Sequence, residues 1–283
     1  MKNIVFIADY FYSDYPGGGE SNNEELIKIL IEKGHDVTKI HSSKCFESTI
    51  EENTGSFFMV ANFSYLSELS KEALLNEFYV IIEHDHKYLL SRNPAEYPDF
   101  KVPKREIVNE KFYKNAIRVF CQSTFHKNIV NKNLNLPNLE SLGGNMWSEE
   151  VLNHIKLLNE KYPVETKKEI YSIINNETEH KNMNGSINYC MDNKFQHEII
   201  NFFEVKEFLS KISQNKYFAF FPLTPETLSR LLVEAKMLNV IPTTKENCGA
   251  IYEDWYNLNG NELVEKMRAK RLEIANKIME TIK

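Results

Sequence analysis

Two glutamates carry the densest chemical signal in the chain. Glu226 and Glu234 are separated by seven residues inside 218–244, which runs from Phe-Ala-Phe-Phe through Pro-Leu-Thr-Pro to Val-Ile-Pro. That pattern predicts a buried strand, a tight loop, a helix and a second short strand. Glu234 stands between Val233 and Ala235 on a helix otherwise lined by Leu231, Leu232, Met237 and Leu238. A carboxylate in such company needs a partner. Its two oxygens can accept both hydroxyls of a ribose diol. Ahead of it, the N–H groups of Thr227, Leu228 and Ser229 at the helix start can cap a diphosphate. The structural alternative makes Glu226 a first-turn acid favoured by the helix dipole and Glu234 a solvated side chain.

Three other clusters fall after apolar runs. Gly17-Gly18-Gly19-Glu20 lies between a strand and a helix, where glycines admit a ligand close to the backbone and a helix N-terminus favours anions. It is not G-x-G-x-x-G, and the loop from Ala8 is too long for a dinucleotide turn, so an NAD enzyme is excluded. Glu83-His84-Asp85-His86-Lys87-Tyr88 bunches ionisable residues at a strand end. Two histidines around an aspartate suggest a metal, but adjacent strand-end residues diverge and no second cluster completes a site; the alternative is a solvated polar loop. Arg92, shortly after, suits a phosphate or a surface ion pair. The third cluster, Asn175 to Asn182, contains Asn176 and Lys181.

The elements that must position these residues alternate. Strands are predicted over 4–8, 36–40, 57–63, 78–83 and 117–121, and helices over 20–33, 66–77 and 124–133. Loop chemistry fills 134–150. A second alternation follows, with strands at 169–174, 198–203 and 217–223, helices at 182–191 and 205–213, and a charged helix over 262–282. This predicts an α/β protein with two Rossmann-like, doubly wound parallel-sheet domains, roughly 1–142 and 143–260, plus a C-terminal helix over 261–283. Functional loops belong at the strand C-termini.

The spacing of Glu226 and Glu234, followed by Ala235 and Val-Ile-Pro, resembles the E-x7-E segment of retaining glycosyltransferases of the GT-B fold, specifically the family-4-like group. The resemblance implies two domains facing a cleft, the first on the acceptor side and the second binding a nucleotide-diphosphate sugar, with the last helix returning to the first domain. It implies that the glycine loop with Gly18 and Gly19 faces the sugar, and that a histidine, His84 or His86 with His84 preferred, lies near its hydroxyls. Glu226 would reach the transferred sugar and Glu234 the ribose. Lys181 matches the lysine that grips the diphosphate. The arginine expected about five positions earlier is absent, with Asn175 or Asn176 in its place. An amide brings no charge, and a charge-assisted bond to phosphate is about twice as strong as a neutral one; Arg230 is the candidate replacement. Glu204, after a strand, falls where such enzymes seat the nucleobase.

The resemblance thus implies metal-independent transfer with retention, in which the leaving phosphate helps deprotonate a glycan or other small acceptor. No cofactor is expected beyond the donor. One rival is a nucleotide-sugar-binding module without catalysis. Another is a glycosyltransferase acting on modified DNA bases, which a net charge of −6 disfavours while Lys101, Lys104 and Arg105 leave it open. The 283 residues are 42% hydrophobic, enough for a real core. The dispersed Cys45, Cys121, Cys190 and Cys248 predict reduced, buried thiols in a cytoplasmic protein. Neither a signal peptide nor a membrane-length apolar run is read.

Overall fold

The computed structural model of the chain describes residues 2–201 and 204–282. It divides into two compact units, one of residues 1–146 with 271–283, the other of residues 147–270. The division falls after Met146, beyond the expected 142, and the terminal helix is shared between the units.

The first unit holds β1 (Asn3–Ala8), α1 (Gly18–Glu32), β2 (Asp36–His41), α2 (Glu47–Glu52), β3 (Phe57–Val60), α3 (Glu68–Leu74), β4 (Phe78–Glu83), α4 (Glu110–Asn115), β5 (Val119–Cys121), α5 (Thr124–Leu134) and β6 (Leu139–Ser141). All neighbouring strand pairs are parallel, in the order β2-β1-β3-β4-β5-β6. Both sheet faces are covered, and strand alternation sorts the core into two layers. Val5, Ile7, Phe58, Val60, Tyr79 and Ile81 pack with residues of α2 to α5. Ile4, Phe6, Ala8, Met59, Val80 and Ile82 pack with Leu26, Ile27 and Leu30 of α1 and with Ile274, Ala275 and Ile278.

The second unit contains α6 (Glu149–Lys161), β7 (Lys168–Asn175), α7 (Met183–Asp192), β8 (His197–Asn201), α8 (Val205–Ile212), β9 (Asn215–Ala219), α9 (Arg230–Met237) and β10 (Ile241–Thr243); α10 (Gly260–Met279) ends the chain. Its sheet is parallel, in the order β10-β9-β7-β8. One face is covered by α6, α8, α9 and Leu263, Val264 and Met267 of α10. Cys190 of α7 lies on the other, with Tyr171, Ile173, Ala219 and Phe221. The expected end of the β8 strand, 202–203, lies outside the described residues.

Two expectations change. The stretch 134–150 is not all loop: Leu139–Ser141 pairs with β5, and α6 opens at Ser148, whose hydroxyl accepts the Val151 N–H. β9 stops at Ala219, although the Phe220 N–H still donates to Thr243 O at 3.0 Å; Pro222, two residues on, has no N–H to continue the ladder. Glu204 is the N-cap of α8, one oxygen of its carboxylate accepting the Glu207 N–H. All four cysteines are buried and free. No helix among the described residues is long and apolar enough to cross a membrane.

Candidate functional site

In open parallel sheets, ligands bind beyond the strand C-termini where the strand order reverses. The first unit reverses between β1 and β3, the second between β7 and β9. The candidate residues gather at these two points.

At the first point, α1 opens at Gly18, so Gly18 and Gly19 form its first turn instead of preceding a helix at Glu20. Gly17 is the N-cap, and a Cβ there would overlap the Glu20 carboxylate. Around Gly19 there is room: an added Cβ would lie 3.5 Å from His84 and 3.6 Å from Asn62, ordinary contact. The preferred histidine therefore packs on the glycine turn. Gln122 Nε2 lies 2.6 Å from His84 Nδ1, and His84 Nε2 lies 2.7 Å from Asn23 Oδ1. An amide nitrogen only donates, so Nδ1 accepts and the ring proton sits on Nε2, donating to Asn23. His86 is elsewhere, 2% exposed and packed edge-on against His126 and Tyr88; burial lowers its pKa to about 4.

The remaining charges of this cluster are spent on each other. Asp85 is bonded by Lys87 at 2.7 Å and by Arg92, which also reaches Ser64 at 3.2 Å. Arg92 thus has an internal partner in place of a phosphate. Burial opposes the ionised Asp85, but Lys87 and Arg92 outweigh it and hold its carboxyl low. No group of three or more His, Cys, Asp or Glu placed to hold a metal occurs among the described residues.

Glu83, fully buried at the end of β4, accepts from the Asp85 N–H at 3.0 Å and from the Tyr113 hydroxyl. Burial, only partly opposed by Lys87, pushes its pKa from 4.5 up to about 8. The folded state thus holds this proton more tightly than the unfolded chain. The stabilisation is complete below the unfolded value and is lost as pH rises through the folded one. The urea midpoint is expected to fall between about pH 5 and pH 8, and Glu83→Gln to flatten that slope. An unchanged slope in the variant would remove Glu83 as its source.

In the second unit, Lys181 ends a short turn, Glu179–Lys181, after β7. The His180 carbonyl accepts the Leu223 N–H at 2.8 Å, and the Asn182 side chain donates to the Phe221 carbonyl at 2.8 Å. These bonds join the β7 and β9 loops. As a result Lys181 Nζ stands 2.6 Å from Glu226 Oε1. Glu226 is fixed by the 247–249 segment: its N–H donates to Asn247 O at 2.8 Å, and its carbonyl accepts Gly249 N–H at 2.9 Å. Ala250 N–H donates likewise to Leu228 O at 2.8 Å.

The helix begins at Arg230, one residue after Thr227-Leu228-Ser229, with Ser229 as N-cap. Ser229 has φ 74° and makes no side-chain cap bond. A buried non-glycine residue in that region costs about 1–3 kcal/mol, strain that clusters at ligand sites. The Leu228 side chain is in the core, so only its backbone is available to a ligand. Asn176 folds onto its own loop, accepting Thr178 N–H at 2.8 Å, and Asn175 donates to Asn201 at 2.6 Å.

Glu234 is buried but has partners. Trp147 Nε1–H donates to its Oε1 at 2.9 Å, and Arg230 Nε lies 3.6 Å away. The Arg230 guanidinium stacks on the Trp147 ring, 4.4 Å from its centroid. Burial raises the Glu234 pKa, opposed by Arg230 and Trp147. Trp147, Asn23 and Gln122 were not read from sequence. Trp147 had one signal, a tryptophan directly before a Ser-Glu-Glu helix start; a polar residue bonding across strands leaves none.

No protein-family model and no curated protein matches the chain. Solved structures do. Anabaena HepE in complex with UDP and glucose superposes with TM-score 0.58 at 10% identity, covering 100% of this chain and 99% of that one. An alpha-glucosyltransferase in complex with UDP-glucose and DNA containing an abasic site gives TM-score 0.53 at 12% identity, over 99% and 93%. An alpha-glucosyltransferase with UDP and a 13-mer DNA containing a HMU base gives 0.51 at 13%, over 98% and 95%. At these identities the likeness establishes the fold alone: two parallel α/β sheets in the GT-B arrangement.

Proposed function

We propose that the chain is a glycosyltransferase that moves a sugar from a nucleoside-diphosphate sugar, with UDP-glucose the first donor to try, onto a hydroxyl acceptor with retention of configuration and without a metal. The observation that carries this reading is the Lys181–Glu226 pair at the β7/β9 reversal, beside the strained start of α9. A cation, a carboxylate and a helix N-terminus at one reversal point suit the diphosphate and sugar of one donor. The fold it shares with structures holding UDP and glucose supports the same donor class. Absence of an Asp-x-Asp triplet favours metal independence.

In the reaction, the bond from the anomeric carbon to the phosphate oxygen breaks and the electron pair leaves with the diphosphate. Lys181 meets that charge, Glu226 accepts hydrogen bonds from the sugar hydroxyls, and Glu234 stands for the ribose. A new bond forms to the acceptor oxygen on the same face, and its proton passes to the departing phosphate. The protein contributes position and charge. The second reading, a binding module without turnover, draws on Asn175 and Asn176, which are neutral and internally bonded. For a DNA acceptor, the expected basic residues are partly spent: Lys101 donates to the Lys132 carbonyl, and Arg105 pairs with Glu106 at 3.3 Å.

A thermal-shift panel of nucleotides and nucleotide sugars tests the donor. A ligand at a hundred times its Kd adds about 2.7 kcal/mol. The expected outcome is a shift with one nucleoside-diphosphate sugar and a smaller one with its monophosphate; no shift across the panel would remove the donor site.

A further inference from the structure

Five carboxylates are buried among the described residues: Asp9, Glu20, Glu25, Glu83 and Glu234. Four have strong partners. Asp9 accepts the Ser64 and Tyr65 N–H groups at 2.9 and 3.2 Å and the Ser42 hydroxyl. Glu25 pairs with Arg271 at 3.0 Å and Lys28 at 3.2 Å. Glu83 and Glu234 have the partners described above. Glu20 is the exception. It is 8% exposed, has no ion pair among the described residues, and has neutral partners only, Asn62 Nδ2 at 3.2 Å and its own backbone N–H.

A buried carboxylate left this way is costly, so its surroundings bear on why it is there. Glu20 lies in the first turn of α1, at the β1/β3 reversal. Gly17 has no Cβ, and any Cβ would occupy the space of its Oε2. One turn on, at an i,i+3 neighbour about 5–6 Å away at Cβ, Asn23 spends its oxygen on His84 and leaves its buried Nδ2 without a partner. Lys87, the cation whose field reaches Glu20, is bonded to Asp85. A carboxylate without a cation and, one helical turn on, an unspent donor can together meet a hydroxyl, which both donates and accepts.

We propose that Glu20 accepts the hydrogen bond of the attacking acceptor hydroxyl and selects an uncharged, glycoside-type acceptor. This rests on the glycosyltransferase reading above. The carboxylate orients the hydroxyl, and the transferred proton still leaves with the phosphate. Desolvation raises the Glu20 pKa, in keeping with a carboxylate short of partners. The Glu20 charge, with Asp9 adding to the negative field around it, also disfavours phosphate-bearing acceptors such as DNA.

The test uses methyl α-glucoside, methyl β-glucoside and methyl β-galactoside as neutral probes, glucosamine as a cationic one and a DNA duplex as an anionic one. Saturation-transfer NMR reads acceptor binding without donor, and slow donor hydrolysis reads the donor side without acceptor. Glu20→Ala is expected to lower kcat/KM for the best glycoside about 10- to 100-fold, in line with one lost charged hydrogen bond. Donor Kd and hydrolysis should stay within about twofold, the second domain being untouched. Glu20→Gln, which keeps an acceptor oxygen and the shape, should recover part of the loss. The inference is overturned if no glycoside binds the parent protein, if glucosamine or DNA is the preferred probe, or if both variants match the parent. It is also overturned if donor and acceptor parameters fall together. Failure of donor binding in the parent chain, with glycoside binding still lost in Glu20→Ala, would instead count against the donor assignment alone.

Discussion

Replacing Lys181 by alanine is expected to lower glycosyl transfer by about 10²–10³-fold, the loss seen when one preorganised donor to a developing negative charge is removed. The side chain is part-exposed on a surface turn, and among the described residues its only ion pair is with Glu226, so the cost to folding should be small. Turnover should therefore fall far more than thermal stability. Stopped assays of nucleoside diphosphate release at saturating donor measure it. Adding Asn176→Arg to the variant should return part of the rate if the β7 loop faces the diphosphate. Parental turnover in Lys181→Ala would mean that this loop faces something else.

Glu234→Ala should act on two observables. The first is stability. Removing the carboxylate leaves the Trp147 N–H and the Arg230 guanidinium without their shared partner, and breaking a buried pair costs about 3–5 kcal/mol. Arg230 keeps its stack on Trp147, so the lower end is expected. Alanine itself favours the helix, so the loss cannot come from propensity. The second observable is donor affinity, which should weaken by about 1.5–3 kcal/mol if the carboxylate holds the ribose. Trp147→Phe separates the two, because it removes the indole donor and leaves Glu234 in place. Urea midpoints and calorimetric donor titrations give both numbers. A large stability loss with unchanged donor affinity would make Glu234 a brace for Trp147 and Arg230, not a ribose ligand.

The strands were legible where both sheet faces are covered, because burial on two sides writes an uninterrupted apolar run, as at Ile4–Ala8 or Val80–Ile82. β6 was not, because Leu139-Glu140-Ser141 carries one apolar residue and is held by its pairing with β5. Helix α6 was legible but passed over: Ser148 as cap and Leu152, Ile155 and Leu158 at helical spacing are all in the sequence. β9 read too long because Phe220 and Phe221 are buried by packing outside the strand.

For the site, residue types and loops could be read, while their partners could not. Glu226 and Glu234 stood out by spacing, and Lys181 by its place after a strand. That Lys181 meets Glu226 depends on β9 lying beside β7, which spacing does not encode. Likewise, which of the His84 and His86 rings reaches Gly19, Asn23 and Gln122 is a property of the fold that the sequence does not write. Glu20 was visible as a letter after three glycines; that its partners are neutral is a property of the folded unit.

The most direct test is to follow the anomeric signals of α-linked UDP-glucose by proton NMR while the purified chain acts on it without added acceptor. The account expects slow, Lys181-dependent release of UDP, with α-glucose appearing first and mutarotating afterwards. β-Glucose appearing first would contradict retention, and an unchanged donor signal, repeated across other nucleoside-diphosphate sugars, would contradict glycosyl transfer by this site.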